Sequence, residues 1–157
     1  PFESLTLPDS AFLNGDKTAG KPVHLAAEMH LAQGPGKRPL VVLLHGSGGL
    51  SGGHELWARE FAEIGVSTLM IDAFTGRGIV ATSTNQGLLG RLNMILDTYR
   101  ALEKIKDHPR VDTSKVAMIG FSRGGQGTLY ASLERFHKMW NESGVDFASP
   151  NVICCRT

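Results

Sequence analysis

Cysteine is nearly absent from this chain. Only Cys154 and Cys155 occur, side by side near the end. Adjacent cysteines bridge one another only with strain, and no disulfide framework or zinc-ligand spacing can be built from them. No thiol elsewhere is available as a nucleophile. Charge of one sign is lacking as well: 16 Lys and Arg stand against 15 Asp and Glu, for a formal net charge of +1, and no basic run exceeds Lys37-Arg38. That balance offers nothing to a nucleic acid or an acidic membrane surface. Apolar runs fall short of the roughly 18 residues a membrane span needs. A basic-then-apolar leader is not visible. These absences point to a cytoplasmic chain, or a secreted or periplasmic one if a leader was removed ahead of Pro1. What remains is globular: 41% hydrophobic and 20% charged residues in 157, enough for one domain with a core.

The most informative run is Gly120-Phe121-Ser122-Arg123-Gly124. It reads G-x-S-x-G, follows the apolar stretch Val116 to Ile119 and precedes a segment with helical potential. This is the sequence form of a nucleophile elbow, a serine on a sharp strand-to-helix turn. The positions two before and two after the serine must be small, because a Cβ there would collide within the turn. Ser122 is thereby expected at a strand end, beside the positive end of a helix dipole.

Strand and helix patterns alternate along the rest. Phe2 to Leu7 reads as a first strand closed by Pro8, and Val23 to Leu31 as a second, before the turn signal Gln33-Gly34-Pro35-Gly36. Leu40 to Leu44 is a continuous apolar run, expected of a strand covered on both faces, and Val66 to Ile71 reads as another buried strand. Trp57, Phe61 and Ile64 form a helix stripe within 54–64, ended by Gly65. Spacing of four and three from Leu88 to Leu102 predicts a long helix over about 85–106, stopped by Pro109. Lys115 to Ile119 feeds the elbow, and Leu129, Leu133, Phe136 and Trp140 mark one face of a helix after it. Val145 to Ala148 is expected to begin a further strand. The sum is an α/β fold, a three-layer α/β/α sandwich with a mostly parallel sheet entered through two antiparallel strands. One domain is expected over 1–157. Ligands bind such sheets at the carboxyl ends of the strands.

A second motif stands at one of those ends. Leu40 to Leu44 runs into His45-Gly46-Ser47-Gly48-Gly49, a Gly-rich turn able to aim backbone N–H groups at a developing oxyanion. The expected donors are the amide of Arg123 and one from Ser47 or Gly48. A phosphate-cradling loop is the other reading of such glycines, but neither G-K-[ST] nor G-x-G-x-x-G is present here. Together VVLLHGSGGL at 41–50, LMIDAFTGRG at 69–78 and VDTSKVAMIGFSRGGQGTLYAS at 111–132 resemble the α/β-hydrolase superfamily, in its dienelactone-hydrolase-like branch, from about Pro39 to Ala148. The resemblance implies a serine hydrolase acting on small esters or lactones, with Ser122 as nucleophile. The best-known dienelactone hydrolases carry cysteine at that position, so serine departs from their pattern.

The family's chain order is nucleophile, acid, histidine. After Ser122 come one histidine, His137, and one aspartate, Asp146, in the reverse order. If the elbow helix is continuous, His137 lies on the order of 20 Å from Ser122 at 1.5 Å per residue. His45 is expected to be structural. His54, at the start of the next helix, is the local candidate for a base or a substrate contact. Asp72 and Arg77 are candidate substrate-binding residues at the strand edge and in the loop beyond it, Arg123 is open to the same role, and Glu55 is expected to favour a helix N-terminus. No metal or other cofactor is expected, for want of a ligand-spaced cluster. The tail from Ser149 does not continue the family pattern, which reads as a truncation or frame change leaving an open sheet edge, with self-association expected through it. Two alternatives stand beside the hydrolase: an impaired hydrolase fold serving as a binding or assembly module, and an acyltransferase using the same serine.

Overall fold

The computed structural model describes residues 1–146 and the backbone of Cys154–Cys155. Its six-stranded sheet has the spatial order β1-β2-β4-β3-β5-β6. The strands are β1 (Phe2–Thr6), β2 (Lys21–His30), β3 (Arg38–Leu44), β4 (Ser67–Asp72), β5 (Val111–Phe121) and β6 (Cys154–Cys155). β1 and β2 are antiparallel, β2 is antiparallel to β4, and β4, β3, β5 and β6 run parallel. The helices are α1 (Asp9–Asn14), α2 (Gly52–Glu63), α3 (Asn93–Ile105), α4 (Arg123–Ala131) and α5 (Glu134–Trp140).

Strand alternation makes the three layers. In β3, Leu40, Val42 and Leu44 join the larger core with Phe12, Ile95, Tyr99, Phe136 and Trp140, which come from α1, α3 and α5. Val41 and Leu43 point the other way, to a smaller core with Ala58 of α2, Met70 and Ile119. Both faces of β3 are thus covered, which is why its sequence is apolar without alternation. The register aligns Leu44 with Ile71 of β4 and Gly120 of β5, so the carboxyl ends of the three central strands lie in one row.

Five expectations need correction. A short helix, α1, follows Pro8, where the strand was expected only to stop. Phe12 holds it, stacked on Trp140 at 5.1 Å between ring centroids and edge-on to Phe136 at 5.2 Å, contacts that no local pattern announces. The helix expected over 85–106 begins only at Asn93. Gly87 and Gly90 weaken its first third, and the Asn85 side chain accepts from Gly87 N–H at 3.1 Å, leaving a single 3-10 turn over Gln86–Leu88. The helix after the elbow breaks at Ser132–Leu133, where the Tyr99 hydroxyl donates to the Ala131 carbonyl at 2.6 Å and Leu129 and Leu133 are left exposed. On α2 the stripe is displaced: Ala58 and His54 are buried, whereas Ile64 is 73% exposed. Val145 and Asp146 carry no strand, and the rest of the strand expected over 145–148 lies outside the described residues.

One ion pair fastens the loop after β4 to the rest. Arg77 is not exposed; its side chain is 3% accessible and grips Asp97, itself 0% accessible, through two bonds of 2.7 and 2.8 Å. The same guanidinium donates to Thr6 Oγ1, Ala73 O and Leu5 O, and the Ser4 hydroxyl donates to Asp97 at 2.6 Å. Burial pushes the Asp97 carboxyl above its ordinary value, against the pull of Arg77 and Ser4. Removing one partner of such a pair strands the other charge in the core. Arg77→Leu should therefore lower unfolding free energy by about 3–5 kcal/mol, read as a fall in the urea midpoint at unchanged slope.

Candidate active site

Three strand ends converge at the sheet's carboxyl edge: His45 after β3, Asp72 at the end of β4 and Ser122 after β5. Ser122 is the turn residue between β5 and α4 and has φ 50° and ψ −109°, with a positive φ seen in no other described non-glycine residue. Such a conformation costs on the order of 1–3 kcal/mol and persists only where its surroundings enforce it. They do so through backbone crowding. A Cβ on Gly120 would lie 2.1 Å from Gly124 O, and one on Gly124 would lie 2.3 Å from Leu44 O and 2.6 Å from His45 O.

Across from Ser122 lies the 46–49 turn, closed by Gly49 N–H donating to Gly46 O at 3.1 Å and tied by Thr82 N–H to Ser47 O at 2.7 Å. The two walls enclose a cleft of about 400 Å³, completed by His54, Trp57, Ser83 and Phe121. Its residues include no Asp, Glu, Lys or Arg, and the rings of Trp57 and Phe121, with centroids 6.3 Å apart, supply apolar surface.

Histidine placement follows from hydrogen bonding. His45 is fully buried; its Nε2 accepts from Ala73 N–H at 3.2 Å, which puts the proton on Nδ1 for donation to Gly46 O at 2.7 Å. Burial lowers its pKa, so the ring is held neutral as a strut between the ends of β3 and β4. His54 lies within the cleft wall, edge-on to Phe121 at 5.0 Å. Its Nδ1 accepts from Ser51 N–H at 3.1 Å, and burial lowers its pKa as well. The ring proton therefore sits on Nε2, the wrong tautomer for taking a proton there. His137 lies on α5, outside the cleft lining, with Nε2 2.8 Å from Asn141 Nδ2 and 3.9 Å from Asp146, and it packs edge-on to Tyr99. The helix break does not bring it among the residues around Ser122. No histidine hydrogen bond to Ser122 occurs among the described residues.

Two other candidates make internal hydrogen bonds. Burial would raise the Asp72 carboxyl, but hydrogen bonds from Thr75 and Phe74 outweigh it and hold the pKa low; the backbone donors stand at 2.9 Å each. Asp72 thus caps the loop, and it faces a separate hollow of about 440 Å³ on the other side of Gly48 and Gly49. Arg77 is consumed by Asp97, so neither its position nor its charge is available to an anionic substrate. The Arg123 side chain is similarly buried, 3% exposed. It donates to Gln86 Oε1 at 2.8 Å and to Leu89 O, while Gln86 Nε2 donates to Ser47 Oγ at 3.0 Å. Gln86 thereby links the elbow helix to the 46–49 turn. Sequence reasoning missed it because a lone glutamine in a polar loop carries no periodic signal. Sequence reading placed Trp57 on a helix stripe and Phe121 within the elbow; it is the packing of α2 on β4 and β2, with Trp57 and His54 against Phe121, that makes them cleft surface.

The histidines carry a pH dependence. A histidine whose folded pKa lies below 6.5 resists protonation that the unfolded chain accepts. His45 and His54 should thus reduce stability as pH falls from about 6.5 through their folded values, with no contribution above that window. Urea midpoints should be flat from pH 8 to 7 and fall between pH 6.5 and 5, and His45→Gln should flatten that fall.

No protein-family model matches the chain, and no curated protein does. Solved structures do. A dienelactone-hydrolase-like promiscuous phosphotriesterase from metagenomic libraries is 28% identical, with TM-score 0.59, over 84% of this chain and 54% of that one. An acetyl xylan esterase from a Paenibacillus species is 28% identical, with TM-score 0.51, over 72% of this chain and 41% of that one. A Butyrivibrio proteoclasticus protein solved with ferulic acid bound is 25% identical, with TM-score 0.56, over 72% and 45%. The chain spans about half the length of these structures or somewhat less. No helix among the described residues is long and apolar enough to cross a membrane. With its parallel strands, its strained serine between β5 and α4 and these neighbours, the chain has an α/β-hydrolase fold and is similar to dienelactone-hydrolase-like structures.

Proposed function

We propose that this chain carries the nucleophile half of a serine hydrolase for small, neutral acyl esters or lactones. The observation that carries the reading is the strained backbone of Ser122, φ 50°, at the mouth of a cleft faced by the 46–49 turn. In the proposed reaction Ser122 Oγ gives its proton to water and bonds to the carbonyl carbon. The bond to the ester oxygen breaks and that oxygen takes up a proton, leaving as an alcohol or staying tethered in a lactone. Water then cleaves the acyl-enzyme to free the acid and restore the Ser122 hydroxyl. The oxyanion is received by the N–H of Arg123 and that of Ser47 or Gly48. The uncharged, partly aromatic cleft favours a neutral acyl group over a carboxylate-bearing lactone.

Proton transfer limits the rate. His54 is the imidazole in the cleft wall, and its Nδ1 already accepts from Ser51. Acceleration then rests on oxyanion stabilisation and binding, which in serine proteases stripped of their triad leave on the order of 10³–10⁴ over water. The expected result is slow hydrolysis of nitrophenyl acetate and butyrate, little with long acyl chains, and covalent labelling by a fluorophosphonate at Ser122. Ser122→Ala should abolish both. Equal labelling or turnover by the alanine variant, or a preference for long chains, would sink the proposal.

Self-association through the sheet edge belongs to the same reading. β6 pairs only with Gly120 and Phe121, so the outer edge of β5 from Val111 to Ile119 has no strand beside it among the described residues. An unpaired edge invites a second chain. Light scattering on the purified chain should give a mass above 16.9 kDa that grows with concentration; a monomer mass at every concentration would refute this.

A further inference from the structure

The side chains of Glu28, His30 and Glu55 form a cluster that the hydrolase site does not use. Glu28 and His30 are two apart on β2 and so share one face of the strand. Glu55 comes from the first turn of α2, which packs over that face. One ligand atom from each lies within 4.8 Å of the others. His30 Nε2 stands 3.2 Å from Glu28 Oε1 and 3.5 Å from Glu55 Oε2. The nitrogen is sealed from solvent and yet hydrogen-bonded to neither oxygen, while the Glu28 and Glu55 side chains are 60% and 39% exposed.

That arrangement differs from an ordinary ion pair. A protonated imidazole bound to a carboxylate points its N–H at one oxygen. Three ligands around one ion do something else: each aims at a common centre, and the donor atoms sit side by side. With zinc–nitrogen and zinc–oxygen lengths near 2.1 Å, tetrahedral ligands lie about 3.4 Å apart. The two distances to His30 bracket that spacing. One imidazole and two carboxylates suit a first-row divalent transition ion and leave one position for water.

The geometry points to a divalent transition-metal site, of zinc type, formed by Glu28, His30 and Glu55. Glu55 immediately follows His54 and lies two residues before Trp57, both in the cleft wall. A bound ion would tie the first turn of α2 to β2 and hold that wall in place. The site stands independently of any reading of Ser122.

The test is calorimetric titration of zinc chloride into the tag-free, chelator-treated chain, carrying Cys154→Ser and Cys155→Ser so that the tail thiols cannot bind. One ion per chain should bind with micromolar or tighter affinity and raise the melting temperature. His30→Gln and Glu55→Gln should each weaken binding about tenfold or more (about 1.4 kcal/mol or more), with circular dichroism verifying the fold. His24→Gln and His108→Gln, at histidines outside the cluster, should leave it unchanged. No binding, binding weaker than micromolar, or binding indifferent to His30→Gln and Glu55→Gln overturns the site.

Discussion

Everything at the functional edge depends on one close approach of backbone to backbone. The start of α4 packs so tightly on the end of β3 that the position of a Gly124 Cβ falls 2.3 Å from Leu44 O. The turn from β5 must then be completed within one residue, and Ser122 takes the backbone strain. The same approach places the N-terminus of α4 next to the 46–49 turn. The cleft between them is a consequence of that contact.

Buried cations and a neutral histidine hold the loops above this edge. Arg77 ties the loop after β4 to α3 and β1, Arg123 ties the 86–89 segment to the elbow, and His45 ties the 46–49 turn to the start of the loop after β4. Each is removed from water, where an unpaired charge or polar atom costs several kcal/mol, and each finds oxygen or nitrogen partners, though Arg123 Nε has none. Among the described residues the cleft has charged groups behind its walls and none on them. This explains why Arg77 and Arg123 are unavailable to ligands.

Covering both faces of the sheet has a second effect. α2 packs on β4 and β2, and its Trp57 and His54 rings reach Phe121 at the end of β5 to line the cleft while Glu55 meets β2. A single helix thereby links the cleft wall to a cluster of carboxylates and imidazole.

The elements legible in the sequence are those whose signal is local. Leu40 to Leu44 and Leu69 to Ile71 are apolar because both faces are covered, and Gly120 and Gly124 are small because the turn admits nothing larger. Period and steric size are written in the chain itself, so the mostly parallel sheet and the elbow could be read from it. α1, the late start of α3 and the break before α5 were not legible, because Phe12 on Trp140, the cap by Asn85 and the bond from Tyr99 to Ala131 join or reshape segments in ways residue type alone does not specify. The same holds for charge. An arginine in a polar loop reads as solvent-facing until its partner is known, and Asp97 lies twenty residues from Arg77. By itself the sequence determined the mostly parallel sheet, the turn that strains Ser122 and the glycines around it. Only the tertiary structure decided which charges are buried, which histidine tautomers exist and which side chains meet at the cleft, because burial and hydrogen-bond partners belong to the packed chain and not to any residue alone.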